Sequence, residues 1–413
     1  LQPEFYQNLL NRGWRRSGGL LYKPDQIAAC CPHYTIRLDA DSFHASKDQR
    51  QSLNRFNKYV LGDDYIKETA RLYPKSRDQA KKRNTEFDLL ERVHESEKES
   101  LKTPPEPAHT LKVTLEPDNY TDEKYAVFEN YQRIVHHEPP HRISKSGFRN
   151  FLCKSPLPRS KETIDGKEKR LGSYHQCYRL DGKLLAVGVL DLLPQCVSAV
   201  YFMYHESVHQ HGFGKLGAMR EIALAKEGGY KWWYAGFYIH NCVKMRYKAD
   251  YTPQYMLDPD TYDWDLLDDG LKKKLDEKTF VGLSRERAKE EGVSPQNGTA
   301  EELQPEAMDT TEENGVTERE EDEDCDEDPP VPNPNAPLWD REMPGVLTKN
   351  QLLAEIDLDE IKIQIGGEIF EARMLVGWDS SSMDHSQSTK GIIAELVSAV
   401  GVEVGKEMIL SFE

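Results

Sequence analysis

The stretch from Lys183 to Ile239 constrains the fold more than any other part of this chain. KLLAVGVLDLL and CVSAVYFMY read as two apolar strands separated only by Pro194-Gln195. GFGKLGAMREIALAKEGG follows as a helix, with Leu216, Met219, Ile222 and Ala223 on one face and Gly228-Gly229 as its stop. KWWYAGFYI is then a third strand. Strand, strand, helix, strand implies an α+β architecture: a mixed sheet with a helix packed on it. The turn HGFGKLG sets Gly212, Gly214 and Gly217 just before the helix, where backbone N–H groups and the helix dipole would face an anion. Plain strand-to-helix geometry is the alternative, and a hairpin in front of the turn argues against a dinucleotide fold, which needs a parallel βαβ unit.

The remaining chain divides by composition. Residues 1–75 hold the amphipathic FYQNLLNRGW, the basic turn RRSGG, the vicinal pair Cys30-Cys31 and the strand-like YTIRL, and are expected to form a smaller cysteine-containing domain. Residues 76–118 are polar, carry PPEP, and read as a linker or exposed insertion. A larger domain over 119–283 opens with EKYAVFENYQRIVHH, whose Tyr125, Phe128, Tyr131, Ile134 and Val135 recur at helical spacing. Residues 284–336 have too few apolar side chains to fold and read as a disordered acidic tether, and alternation returning over 337–413 suggests a small α+β extension.

Charge follows the same division. The net −17 conceals seventeen acids against one Arg over 290–328 and fourteen acids against six bases over 329–413, which leaves residues 1–289 at +7. A basic body is compatible with a polyanionic partner, although a surplus of this size also serves solubility. Seven scattered cysteines lack the spacing of a secreted disulfide scaffold, so a reducing compartment is expected: the cytoplasm, with the nucleus a second location. No run of apolar residues is long enough to span a membrane as a helix.

Several groups carry chemistry. Gly236 to Tyr255 delivers His240, Lys244, Arg246, Tyr247 and Lys248 directly after an apolar-aromatic run, a pattern suited to charged or phosphate-bearing ligands, or to a solvated basic turn. Asp191 is the one charge inside LLAVGVLDLLP, so it is exposed, paired or functional. Glu206 and Glu221 are weaker candidates, since Glu221 within REIALAKE has Lys226 and Arg220 at hand for a surface pair. Cys30-Cys31 alone falls short of the four ligands a structural metal site wants.

These runs taken together resemble the arginyl-tRNA–protein transferases of the N-degron pathway. The resemblance rests on RGWRRSG (12–18), YKP (22–24), CCPHYTIR (30–37), RFNKYVLG (55–62), EKYAVFENYQRIVHHE (123–138), GFRNFLCKSPL (147–157), GSYHQCYRLDGKLLAVGVLDLLP (172–194) and GFYIHNCVKMRYKADYTPQYMLDP (236–259). It implies an acetyltransferase-like catalytic domain. It also implies transfer of arginine from charged tRNA to the α-amine of proteins beginning with Asp, Glu or oxidised Cys, marking them for ubiquitin-dependent degradation. Direct transfer is expected, because an aminoacyl ester is already activated and asks only for alignment, proton removal and oxyanion stabilisation.

On that resemblance, Asp191, with Glu221 second, is the expected seat of the arginyl guanidinium. Lys244, Arg246, Tyr247 and Lys248 are expected to meet the acidic N-terminal side chain or tRNA phosphates. Arg15 and Arg16 would extend a basic path for tRNA or bracket a turn. Tyr238 and His240 are the proton acceptors or positioners, against direct loss of the proton to water. The family's amino-terminal domain adds an upstream C-x-x-C to the vicinal cysteines to bind an iron–sulfur cluster or zinc; the chain opens at Leu1 without one, so truncation and poor metal binding by Cys30 and Cys31 are expected. No cofactor is needed for the chemistry itself. YFMYHESVHQHGFG departs from the family in having His205-Glu206 where Asp-Pro is common, and Gly212 where Ser is. The rival functions are an acyl-coenzyme A N-acyltransferase and a non-catalytic RNA- or degron-binding protein.

Overall fold

A computed structural model describes residues 1–164, 166–291 and 336–412, apart from the side chains of Asn84, Ile164 and Lys167. It separates into two compact units: Leu1–Pro24 with Cys31–Thr279, and Asp25–Cys30 with Phe280–Glu413.

The first unit is built on a ten-stranded mixed sheet. Its hairpin β1 (Arg15–Ser17) and β2 (Leu20–Tyr22) stands apart from that sheet. The sheet comprises β3 (Tyr34–Asp39), β4 (Leu111–Pro117), β5 (Ser160–Ile164), β6 (Lys167–Leu180), β7 (Lys183–Leu193), β8 (Cys196–Tyr204), β9 (Trp232–Tyr234), β10 (Phe237–Tyr238), β11 (Gln254–Leu257) and β12 (Trp264–Leu266). The order is β12-β11-β3-β9-β8-β7-β6-β4, with β5 on β6 and β10 on β3. Every pairing is antiparallel except β8 with β9, where the helix Phe213–Glu227 makes the crossover.

That helix lies where its glycines allow. Gly212 takes a left-handed φ of +68° to turn the chain into the helix. A Cβ at Gly217 would stand 2.3 Å from the ring of Phe202, so only glycine lets helix and β8 approach this closely. Leu216, Met219, Ile222 and Ala223 are buried as their spacing predicts, each large one worth about 1.5–3 kcal/mol. On β9, Trp233 faces this helix and hydrogen-bonds Glu221. The helices Asp122–Ile134, capped by Thr121, and Lys145–Leu152 bring Val127, Phe128, Phe148 and Leu152 into one core with Val187, Val189 and Met203.

Residues 1–75 do not form a separate domain here, because β3 is an interior strand of the sheet between β9 and β11. The expected linker 76–118 likewise holds the helices Arg77–Thr85 and Leu89–His94 and the strand β4. Most of the expected tether, 292–335, lies outside the described residues; ahead of it Leu283–Glu290 is helical. In the second unit β13 (Lys362–Ile365), β14 (Glu368–Glu371) and β15 (Ile409–Ser411) form a three-stranded sheet, and Trp378, Ile363, Ile393, Ala394 and Val397 are buried.

Candidate active site

The sheet opens at one place. Parallel β8 and β9 pair through Cys196–Trp232, Val197–Trp233 and Ser198–Tyr234 and then part. On one side a register shift in the β7–β8 pairing, Val189 with Tyr201 but Leu190 with Ala199, makes Val200 a bulge and bends β8 away. On the other, Ala235 and Gly236, at φ +82°, break the run read from sequence as one strand, and β10 continues against β3 alone. The result is a fork at the carboxyl ends of two parallel strands, a place where open sheets bind ligands.

Two charges of opposite sign sit at this fork, Glu221 buried and Lys248 half-buried. Lys248 donates to the carbonyl of Phe237 at 2.8 Å, and a Cβ built on Gly236 would stand 3.6 Å from both the Lys248 Nζ and the Ala199 carbonyl oxygen. The ammonium therefore lies between the two arms. Burial first, and the nearby Arg15 cation second, pull its pKa down to about 8. Glu221, on the helix behind, is 2% exposed. Its Oε2 accepts from Trp233 Nε1 at 2.9 Å, and its Oε1 would be 3.4 Å from a Cβ on Gly188. Burial lifts its carboxyl to about 7, against the lowering effects of the Trp233 bond and of Lys248. A fully buried carboxylate held by one donor is costly, and such cost is tolerated at working sites.

Lys244, Arg246 and Tyr247 come from the short helix Val243–Arg246 and the turn after it; all three are exposed, Tyr247 to 46%. The structure thus brings Glu221 and Lys248 together and leaves the other basic residues at the surface.

Tyr238 and His240 are joined to each other. Tyr238 Oη and His240 Nδ1 are 2.6 Å apart, and His240 Nε2 meets Asp276 Oδ1 at 2.7 Å, with Arg246 3.5 Å from the same oxygen. An ionised Asp276 can only accept, so Nε2 carries the proton and Nδ1 accepts from the phenol. The His240 bond holds the Asp276 carboxyl below its ordinary value. Tyr238 is wholly buried and burial pushes its phenol to about 12. The chain of bonds occupies the phenol and both ring nitrogens and so orients Asp276, and through it Arg246. Asp276 lies on the helix Asp269–Glu277, and nothing in the linear spacing pointed to it.

Two expectations are corrected. Asp191 is filled: Arg16 grips it as a fork, Nε to Oδ2 at 2.7 Å and Nη2 to Oδ1 at 2.6 Å, with both side chains almost fully buried. Ser173 and the Gly18 carbonyl complete the Arg16 contacts. The pair fastens the β1–β2 hairpin to β7, and a carboxylate neutralised by this fork and wholly buried is closed to a substrate guanidinium. Arg15 and Arg16 therefore make no basic path at the surface. Arg15 is 7% exposed, donates to Trp14 O at 2.8 Å and lies over the ring of Phe237 at 4.9 Å.

Cys30 is exposed and Cys31 half-buried, and among the described residues no group of three or more His, Cys, Asp or Glu gathers to hold a metal ion. The described residues do not make up a zinc or iron–sulfur site.

Residues 123–258 match the family described as arginine-tRNA-protein transferase, C terminus, and residues 1–51 match its N terminus. The chain is 30% identical to the arginyl-tRNA–protein transferase 1 of Drosophila melanogaster, over 68% of this chain and 79% of that protein. It is also 30% identical to the protein of that name from Saccharomyces cerevisiae, over 60% and 47%. An aspartate/glutamate leucyltransferase of Pseudomonas fluorescens is 28% identical over 61% and 79%. Among solved structures, L-PGS from Bacillus licheniformis aligns over 52% of this chain and 47% of that one at 10% identity with a TM-score of 0.28, too low to assign a fold.

Proposed function

This chain belongs to the arginyl-tRNA–protein transferase family, aminoacyltransferases that move arginine from tRNA to protein, and we propose that its acceptors are proteins beginning with Asp, Glu or oxidised Cys. Arginylation would mark these acceptors for ubiquitin-dependent degradation. The observation that carries this reading is the opposed pair at the fork, Glu221 and Lys248.

We assign the arginyl guanidinium to Glu221, the carboxylate left with one donor once Asp191 is matched to Arg16. A charge-assisted bond there is worth about 1.5–3 kcal/mol and returns Glu221 to its ionised form. We assign the acceptor's acidic side chain to Lys248. With both ends held, the α-amine nitrogen attacks the ester carbonyl, the C–O bond to the terminal ribose breaks, and the departing oxygen takes up the proton lost by the amine. Alignment supplies most of the effect, since no covalent intermediate is required. The fork of two parallel strands ahead of a glycine turn supports an acetyltransferase-like reading of the fold, with the start of the Phe213 helix beside the donor's last phosphate.

The test is transfer of labelled arginine from arginyl-tRNA to matched peptides starting with Asp or with Lys. Product on the Asp peptide alone is expected. No product, or equal product on both, contradicts the assignment.

A further inference from the structure

A tRNA is far larger than the fork, and the two arginines expected to guide it are buried. The exposed basic charge lies elsewhere. From residue 133 to 161 the chain has seven Lys/Arg against one acid, Glu138. This stretch is the end of the helix Asp122–Ile134, the turn Pro140–Arg142, the helix Lys145–Leu152 and the loop into β5. Arg133, Arg142, Lys145, Arg149, Lys154, Arg159 and Lys161 are all exposed.

Local carboxylates neutralise part of it. Lys145 pairs with Asp122 at 3.0 Å, Lys161 with Glu168 at 2.9 Å, and Arg159 with Asp118. Arg149 lies 4.0 Å over the ring of Tyr120. Arg133, Arg142 and Lys154 have no ion pair among the described residues. By contrast, the eleven Lys/Arg over 47–83 are interspersed with five acids, and Lys58 and Arg71 are paired with two of them.

The strip is continuous with the fork. On the inner side of these helices Tyr131 reaches Tyr204 with ring centres 5.1 Å apart, Phe151 reaches Tyr201 at 5.3 Å, and Gln132 accepts from Tyr201 Oη at 2.7 Å. Tyr201 and Tyr204 belong to the diverging half of β8. The exposed His136 has its Nε2 3.3 Å from Tyr201 Oη, which ties the strip to the diverging arm of the fork. Cations left without carboxylates, on helices that back one arm of the site, complement a phosphate backbone whose end must enter that site.

We propose that the outer face of residues 133–161 seats the phosphate backbone of the donor tRNA, and that Arg133, Arg142 and Lys154 are its principal contacts. The proposal rests on the arginyl-tRNA reading above. The binding of uncharged tRNA is measured against salt for wild type, for Arg133→Gln/Arg142→Gln/Lys154→Gln, and for a control, Lys67→Gln/Arg77→Gln/Lys81→Gln, whose positions are equally exposed. Each lost phosphate contact lowers the slope of log K against log salt by about one. The first variant is expected to lose about three from the slope and to bind at least about tenfold more weakly at low salt, while the control matches wild type.

An unchanged slope in the first variant, or the same drop in both variants, overturns the proposal. So does loss of binding to anionic phosphatidylserine vesicles with tRNA binding intact, which would make the strip a lipid surface. Arginine transfer by the wild type is followed in parallel. Normal transfer with an unchanged slope removes the strip alone, whereas a wild type that binds no tRNA and transfers nothing removes the functional reading with it.

Discussion

Substituting Glu221 by Gln separates the donor site from the rest of the protein through its pH dependence. The buried carboxyl has a pKa of about 7 in the free protein, and it must be ionised to hold a guanidinium, so donor binding weakens as pH falls through 7. With acceptor saturating, kcat/KM for arginyl-tRNA at about pH 6 is then roughly elevenfold below its value on the alkaline plateau, the ratio set by one carboxyl a unit below its pKa. Gln keeps an oxygen for Trp233 and loses the charge. The variant is expected to fall by roughly 10- to 150-fold on the plateau, the equivalent of one charge-assisted hydrogen bond, and to lose the acidic limb. The assay is initial-rate transfer of labelled arginine across about pH 5.5 to 9 with donor limiting. A variant within about twofold of wild type, or one that keeps the limb near pH 7, removes Glu221 from the donor site.

Lys248 sets the opposite limb: kcat/KM for an Asp-initiated peptide should decline above about pH 8 as the ammonium deprotonates, and Lys248→Arg should carry that decline past pH 9. An unmoved limb in the variant would assign it to another group. Asp191→Asn leaves Arg16 buried without its counter-ion and should destabilise the fold by about 3–5 kcal/mol, seen as a lower Tm, with donor kcat/KM little changed below the melting range. A normal Tm with failed donor use would return Asp191 to the site. Because the folded Glu221 carboxyl is raised from 4.5 to about 7, its ionisation costs stability above pH 7 and not below the unfolded value. Glu221→Gln should accordingly raise stability at about pH 8 by on the order of 3 kcal/mol and leave it nearly unchanged at about pH 4.5, and equal effects at both pH values would count against a buried charge.

The central hairpin, the glycine turn and the helix behind it were legible because each carries a strong periodic signal: the apolar runs of β7 and β8, Leu216 through Ala223 at helical spacing, and a glycine at either end. β4 was obscured by neighbouring prolines. The place of β3 within the sheet depends on pairing with β9 and β11, some two hundred residues away, which local sequence does not encode. The same limit explains the site. Asp191 reads as a charge needing a partner, but Arg16 stands 175 residues distant, so local sequence does not show the guanidinium that competes with the substrate's for this carboxylate. For Glu221 helical spacing offers Arg220 and Lys226 as partners; in the fold Arg220 turns to Glu97 and the Val93 carbonyl, and Lys226 to the Asp41 region. Three-dimensional packing decided both cases.

The donor's charge can be removed while its shape is kept. Transfer from one tRNA charged either with arginine or with its neutral isostere citrulline, measured for wild type and Glu221→Gln, isolates recognition of the guanidinium. Wild type should favour arginine by roughly 10- to 150-fold and the variant should show nearly none of that preference. An equal preference for arginine in both proteins would place the guanidinium somewhere other than the fork.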